Sequence, residues 1–282
     1  MSLTRRQFAT GGGAVLAASF ALETASAQQS SREAVPAATA DHDMSAMPAH
    51  WTGKEQIAFL IYPEFTALDM VGPHYMLTGL MGATTHIVAK TREIVKSDTG
   101  LMFQPSASFD DCPADLDIIC VPGGAEGTLA AMQDEPTIRF LKDRGSRARF
   151  VTSVCTGSLI LGAAGLLKGY RATSHWTTKS LLPIFDAMPT DGRVVRDRNR
   201  ITGGGVTAGI DFGLSLVGQL RDRTYAEFVQ LLAEYAPEPP YDAGSPQRAP
   251  AEVNAMMDDM FAGFKTKAEG IAREVYERHR SG

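Results

Sequence analysis

Cysteine is scarce: only Cys112, Cys120 and Cys155 occur in 282 residues. That is too few for a disulfide scaffold, and the odd count leaves one unpaired within the chain. No CxxC pair and no Cys/His ligand spacing suggests zinc or another metal. Excess positive charge is also missing, because 27 Lys and Arg face 32 Asp and Glu for a net charge of −5. Without a basic stripe, nucleic acid is a poor partner. No apolar run is both long and continuous enough to span a membrane, the N-terminal one being short and glycine-rich. No internal repeat is evident. What is present, 44% hydrophobic and 21% charged residues, is ordinary for a globular chain with a substantial core.

The N-terminal stretch has a distinct character. Thr4-Arg5-Arg6-Gln7-Phe8, a Gly/Ala/Leu core and Ala25-Ser26-Ala27 predict a twin-arginine export signal over 1–27. That route carries folded proteins, so the expected location is periplasmic or otherwise exported. Residues 28–54 predict a disordered linker, rich in Ala, Ser, Gln and Asp. Its segment Asp41–His50 carries Met and His of the kind soft copper accepts, although a solvated tether explains it as well.

From residue 55 the pattern changes. Gln56–Tyr62 predicts a strand and Ala67–Pro73 the start of a helix. Further strands are expected at Thr85–Lys90, less distinctly within Ile94–Phe109, and at Asp117–Val121, an unbroken apolar run of the parallel type. A helix over Pro136–Arg147 follows, then a strand from Arg149 to Val154. Tyr170–Trp176 predicts a short strand and Arg193–Thr202 a hairpin turning at Asp197-Arg198-Asn199; Gly203–Gly209 then opens a helix, and Ala226–Tyr235 forms another. Pro237–Pro250 is a loop before a last helix over 251–279, within a C-terminal extension 249–282. Strands alternating with helices imply a mainly parallel sheet covered on both faces, with a site past the C-terminal strand edges.

The chemistry centres on Cys155. The strand Phe150–Val154 breaks into Cys155-Thr156-Gly157-Ser158 and resumes as a Leu/Ala helix, the pattern of a nucleophile elbow. Small polar residues stand where a core would want bulk. A helix N-terminus behind the thiol favours thiolate, the nucleophilic form. The alternative is a buried structural cysteine. Asp69 lies between apolar neighbours, either capping its helix or offering a carboxylate to the pocket. Gly123 and Gly124 either make a tight turn or let backbone amides approach a ligand.

The motifs Leu68-Asp69-Met70-Val71-Gly72-Pro73, Val121-Pro122-Gly123-Gly124, Ser153–Ser158, Arg196–Gly205 and Pro239–Pro246 together resemble the ThiJ/PfpI superfamily, and within it the isonitrile hydratase group. The resemblance runs from about residue 55 to 248. It implies a flavodoxin-like sandwich of the class I glutamine amidotransferase type, a homodimer, no cofactor, and hydro-lyase chemistry on an isonitrile. It further implies Cys155 as nucleophile, Asp69 as its acidic partner and Thr156 beside them. Protease-like and deglycase-like relatives carry His directly after the cysteine, where this chain has Thr156, so a Cys-His dyad of that kind is absent. His175 matches a histidine lying near the nucleophile in some relatives.

On that resemblance, Cys155 adds to the isonitrile carbon while Asp69 supplies a proton, giving a thioimidate. Water then releases an N-substituted formamide, with amides at Thr156 and Gly124 stabilising developing charge. Three rivals stay open: a glyoxalase-like hydrolase, a thiol-stress protein whose Cys155 is oxidised, and a sensing domain like those preceding AraC-type DNA-binding helices. The predicted export signal and the short C-terminal helix argue against the last.

Overall fold

The apolar runs lie side by side as strands in the computed structural model, which describes residues 47–280. The predicted signal and most of the linker fall outside the described residues. The elements run β1 (Gln56–Leu60), α1 (Ala67–Thr78), β2 (Thr84–Ala89), β3 (Val95–Lys96), β4 (Met102–Phe103), β5 (Ala107–Ser108), β6 (Ile118–Val121), α2 (Ala125–Gln133) and α3 (Glu135–Arg147). They continue with β7 (Phe150–Val154), α4 (Gly157–Ala163), β8 (Arg171–Ala172), β9 (Met188–Pro189), β10 (Val194–Asp197), β11 (Arg200–Gly203), α5 (Ala208–Leu220), α6 (Arg223–Leu232) and α7 (Ala251–Arg280).

Seven strands form one sheet in the order β10-β11-β7-β6-β1-β2-β5. Every pairing is parallel except the β10–β11 hairpin, which turns at Arg198-Asn199 as expected. Helices α1, α5 and α6 pack together, and α2, α3, α4 and α7 form a second group. The central strands are apolar because both faces are covered: Ile57, Phe59, Ile118, Cys120 and Val151 are wholly buried. Each such Ile or Phe contributes roughly 1.5–3 kcal/mol by leaving water.

Two expectations are refined, and one helix is added. Ile94–Phe109 resolves into three two-residue strands, of which only β5 joins the main sheet. Tyr170–Trp176 is strand only at Arg171–Ala172, where it pairs with β9. Helix α2 has no counterpart among the predicted elements, because its short Ala/Gly-rich stretch, broken by Gly127, carries a weak helical signal. The glycine is there for packing: a Cβ at Gly127 would stand 2.5 Å from the Pro63 carbonyl oxygen.

Ahead of β1, a 3₁₀ turn at Ala49–Trp51 docks on the α5–α6 junction. His50 Nε2 and Trp51 Nε1 both reach Asp222 Oδ2, at 2.6 and 2.7 Å. Arg221 grips Glu55 with two hydrogen bonds, 2.6 and 2.8 Å, and donates to the Trp51 carbonyl at 2.6 Å. These bonds satisfy a guanidinium that is almost fully buried, as a buried charge requires. Helix α7 buries Ala268, Ala272 and Val275 in its second half, whereas Val253, Met256 and Met260 in its first half stay exposed.

Candidate active site

Strand β7 ends at Val154, α4 begins at Gly157, and Cys155 sits between them with φ +58°. A non-glycine residue holds that conformation only when its surroundings over-determine it. Here they do. The Cys155 N–H donates to the Gly203 carbonyl at 3.0 Å. Its own carbonyl accepts from His175 N–H at 3.3 Å, Ser174 Oγ at 3.2 Å and Ser158 Oγ at 3.3 Å. The turn therefore fixes the thiol in one direction, at 7% exposure.

Asp69, in the first turn of α1, is fully buried beside that thiol. Its Oδ2 accepts the Gly123 N–H at 2.8 Å, while Oδ1 is buried without a hydrogen-bond partner, and the carboxyl interacts with the Cys155 thiol. Burial raises the Asp69 pKa to about 7, partly countered by the Gly123 amide and by the thiol. Burial, reinforced by the Asp69 charge, pushes the Cys155 thiol well above its ordinary range, against the pull of the Thr156 amide and hydroxyl. These surroundings oppose the thiolate that a helix N-terminus favours. Helix α4 spans only seven residues, and desolvation beside a carboxylate outweighs its dipole. The resting pair is a thiol next to a carboxyl poised to gain or lose a proton near neutrality.

Thr156 and the two glycines form one network. Thr156 Oγ1 accepts from the Gly124 N–H at 3.0 Å, donates to the Gly124 carbonyl at 3.2 Å, and meets Thr128 Oγ1 at 2.8 Å. Both glycine amides are thus engaged, Gly123 with Asp69 and Gly124 with Thr156. In this arrangement they position the acid and the elbow, and holding developing charge on substrate would require exchanging those bonds. Gly123 must be glycine, because a Cβ there would lie 2.6 Å from both Thr156 N and Oγ1 and 2.9 Å from Asp69 Oδ2. Gly123→Ala is expected to displace the carboxyl and lower turnover on the order of 100-fold, the cost of about an ångström of misplacement. Stability should fall by only about 1–3 kcal/mol. Steady-state kinetics beside a thermal melt separates the two effects.

His175 comes to the turn through its backbone, not its ring. Its Nδ1 pairs with Thr177 Oγ1 at 2.7 Å, and the ring leans on Trp176 and on Phe261 of α7, with centroids 5.7 and 6.1 Å away. Partial burial lowers its pKa, so the ring is neutral near pH 7. Sequence reasoning missed Gly203, Ser174 and Thr128, which meet Cys155 and Thr156 from a strand end, a loop and helix α2 far apart in the chain. Cys112 and Cys120 are both free and buried, and burial pushes Cys120 up to about 12. Among the described residues no group of three or more His, Cys, Asp or Glu side chains is placed to hold a metal. The Asp41–His50 segment lies largely outside them.

Residues 55–219 match the model of the DJ-1/PfpI family. The chain is 52% identical over 198 residues to an isonitrile hydratase of Pseudomonas putida, covering 70% of this chain and 86% of that protein. It is 32% identical over 187 residues to the HTH-type transcriptional regulator GbdR of Pseudomonas aeruginosa, of which it spans 50%. A crystal structure of a ThiJ/PfpI family protein from Pseudomonas syringae superposes with a TM-score of 0.79 at 55% identity, covering 86% of this chain and 98% of the other.

Proposed function

Because the chain belongs to the DJ-1/PfpI family, we propose that it is an isonitrile hydratase working through Cys155 without a cofactor. The observation that carries this reading is the buried Cys155–Asp69 pair, with one proton to share near neutral pH. An isonitrile R–N≡C has one terminal carbon that must receive both a nucleophile and a proton, and the pair supplies both. As the thiol attacks, Asp69 takes its proton and passes it to that carbon, giving R–N=CH–S–Cys155. Asp69 then directs water to the same carbon. The adduct R–NH–CH(OH)–S–Cys155 collapses, releasing R–NH–CHO and restoring the thiol. The Thr156 backbone amide, which favours the charged sulfur, steadies it as it departs.

The rivals fit less well. Oxidants consume thiolates, and the raised Cys155 pKa makes a redox sensor of this site inefficient. The regulator relative matches at lower identity and over half its length. The direct test is incubation of purified, reduced protein with cyclohexyl isocyanide, with methylglyoxal in parallel. Formation of N-cyclohexylformamide is expected. Its absence, or turnover of methylglyoxal alone, removes the hydratase reading.

We extend the proposal to assembly and location. Leu68, Val71 and Tyr75 make an exposed apolar stripe on α1 beside Asp69, suited to a homodimer face. Light scattering should therefore give twice the chain mass, and a monomer mass would exclude the dimer. Export by the twin-arginine route rests on Arg5-Arg6 and is tested by fractionating cells that carry paired Arg→Lys changes.

A further inference from the structure

A cavity apart from the Cys155 turn lies on the same edge of the sheet. A cavity of about 390 Å³ opens past the ends of β1 and β2, lined by Ile61, Tyr62, Val95, Phe109 and Ala130. Neither Cys155 nor Asp69 lines it. The chain runs from β1 outward to β2 and β5, then returns to β6 on the other side of β1. That reversal falls between β1 and β6, and the cavity lies one strand outward from it, closed by Gly127, Ala130 and Ala131 of α2; its volume suits a small molecule.

The chemistry of the mouth narrows the ligand. Lys90 Nζ pairs with Asp134 Oδ1 at 2.5 Å, and Asp134 Oδ2 accepts from the Thr137 amide and hydroxyl at 3.1 and 2.6 Å. Cation and carboxylate thus neutralise each other, and a charged ligand would have to break that pair. Lys90 still has N–H groups to donate, and the exposed Glu93 carboxylate can accept. The match is a head group that accepts and donates without charge, on an apolar body. Beneath it, the Tyr62 hydroxyl donates to the Pro122 carbonyl at 2.7 Å and meets Thr128 Oγ1 at 3.3 Å. Thr128 in turn meets Thr156, so the cavity floor is joined to the residue next to Cys155.

We propose that this cavity is a second binding site, separate from the nucleophile, for a small neutral secondary amide with an apolar substituent. An N-substituted formamide is of this class, and only the choice of that probe rests on the hydratase reading. The test is a titration of full-length protein with N-cyclohexylformamide, followed by amide chemical shifts in NMR. Saturable shifts are expected at Ile61, Val95 and Ala131, in wild type and in Cys155→Ala alike. Ala130→Phe, which fills the cavity from a partly solvent-facing position, should weaken that binding roughly tenfold or more while leaving isonitrile turnover unchanged. Ile94→Asp, at an exposed lining residue, gives an independent check should Ala130→Phe fold poorly. Shifts confined to the surroundings of Cys155, no saturable shift, or undiminished binding in both variants would overturn the proposal. Cavity binding without isonitrile turnover would sink the hydratase reading and leave the second site standing.

Discussion

Cys155→Ala is expected to abolish formamide production from cyclohexyl isocyanide while leaving the fold intact. Loss of a covalent nucleophile costs on the order of 10⁴-fold or more in other enzymes, because no neighbouring group can replace the bond it forms. The structure offers no substitute here: the His175 ring is turned to Thr177, and Asp69 lacks the softness to attack an isonitrile carbon. Alanine keeps the backbone bonds to Gly203, Ser174 and Ser158 that hold the turn at φ +58°. The melting curve should therefore move little, by about 1 kcal/mol. Acid-quenched wild type should also gain the mass of one isonitrile, and Cys155→Ala should not. Formamide from Cys155→Ala at the wild-type rate would rule out the covalent route.

Asp69→Asn should separate catalysis from stability. An amide cannot carry a proton from sulfur to carbon, so turnover should drop by roughly 10²–10⁴-fold. The wild-type kcat/KM should rise with pH through about 7, as Asp69 ionises and the pair comes to hold one proton. In the variant that limb should vanish.

Stability should respond in the opposite sense. With its pKa raised from 3.8 to about 7, folded Asp69 binds a proton that the unfolded chain has already released. Its contribution is fully present at low pH and is lost as pH rises through that window, amounting to roughly 4 kcal/mol above pH 7. Asn carries no charge to desolvate, though its buried NH₂ costs about 1–3 kcal/mol if unpaired. The difference in unfolding free energy between variant and wild type should therefore shift in favour of Asp69→Asn from pH 5 to pH 8. Denaturant titrations at both pH values measure it. A constant difference would mean that Asp69 is not held near pH 7.

Much of this protein is written in local pattern. Unbroken apolar runs such as Ile118–Val121 announce strands buried on both faces, and the break from Val154 into Cys155-Thr156-Gly157 marks the elbow. Asp69 and Cys155 stand out as candidates from their motifs, and the fold brings them side by side. These features depend on a few consecutive residues, so a single sequence carries them. Helix α2 escaped because Gly127 is there to clear the Pro63 carbonyl, a neighbour 64 residues away in the chain.

The sequence by itself determined the parallel sheet and the turn that carries Cys155, and it singled out Asp69 as a candidate beside it. Only the tertiary structure decided their protonation. A helix N-terminus behind Cys155 promised a thiolate, but the pKa of a group depends on everything packed around it. Complete burial of Asp69 against the thiol leaves the proton on sulfur at rest. The same holds for the glycine amides, engaged with Asp69 and Thr156, and for the cavity beside β1 and β2. Solvent exclusion and the occupancy of hydrogen bonds are properties of the assembled fold, set by residues that meet in space and are far apart in the chain.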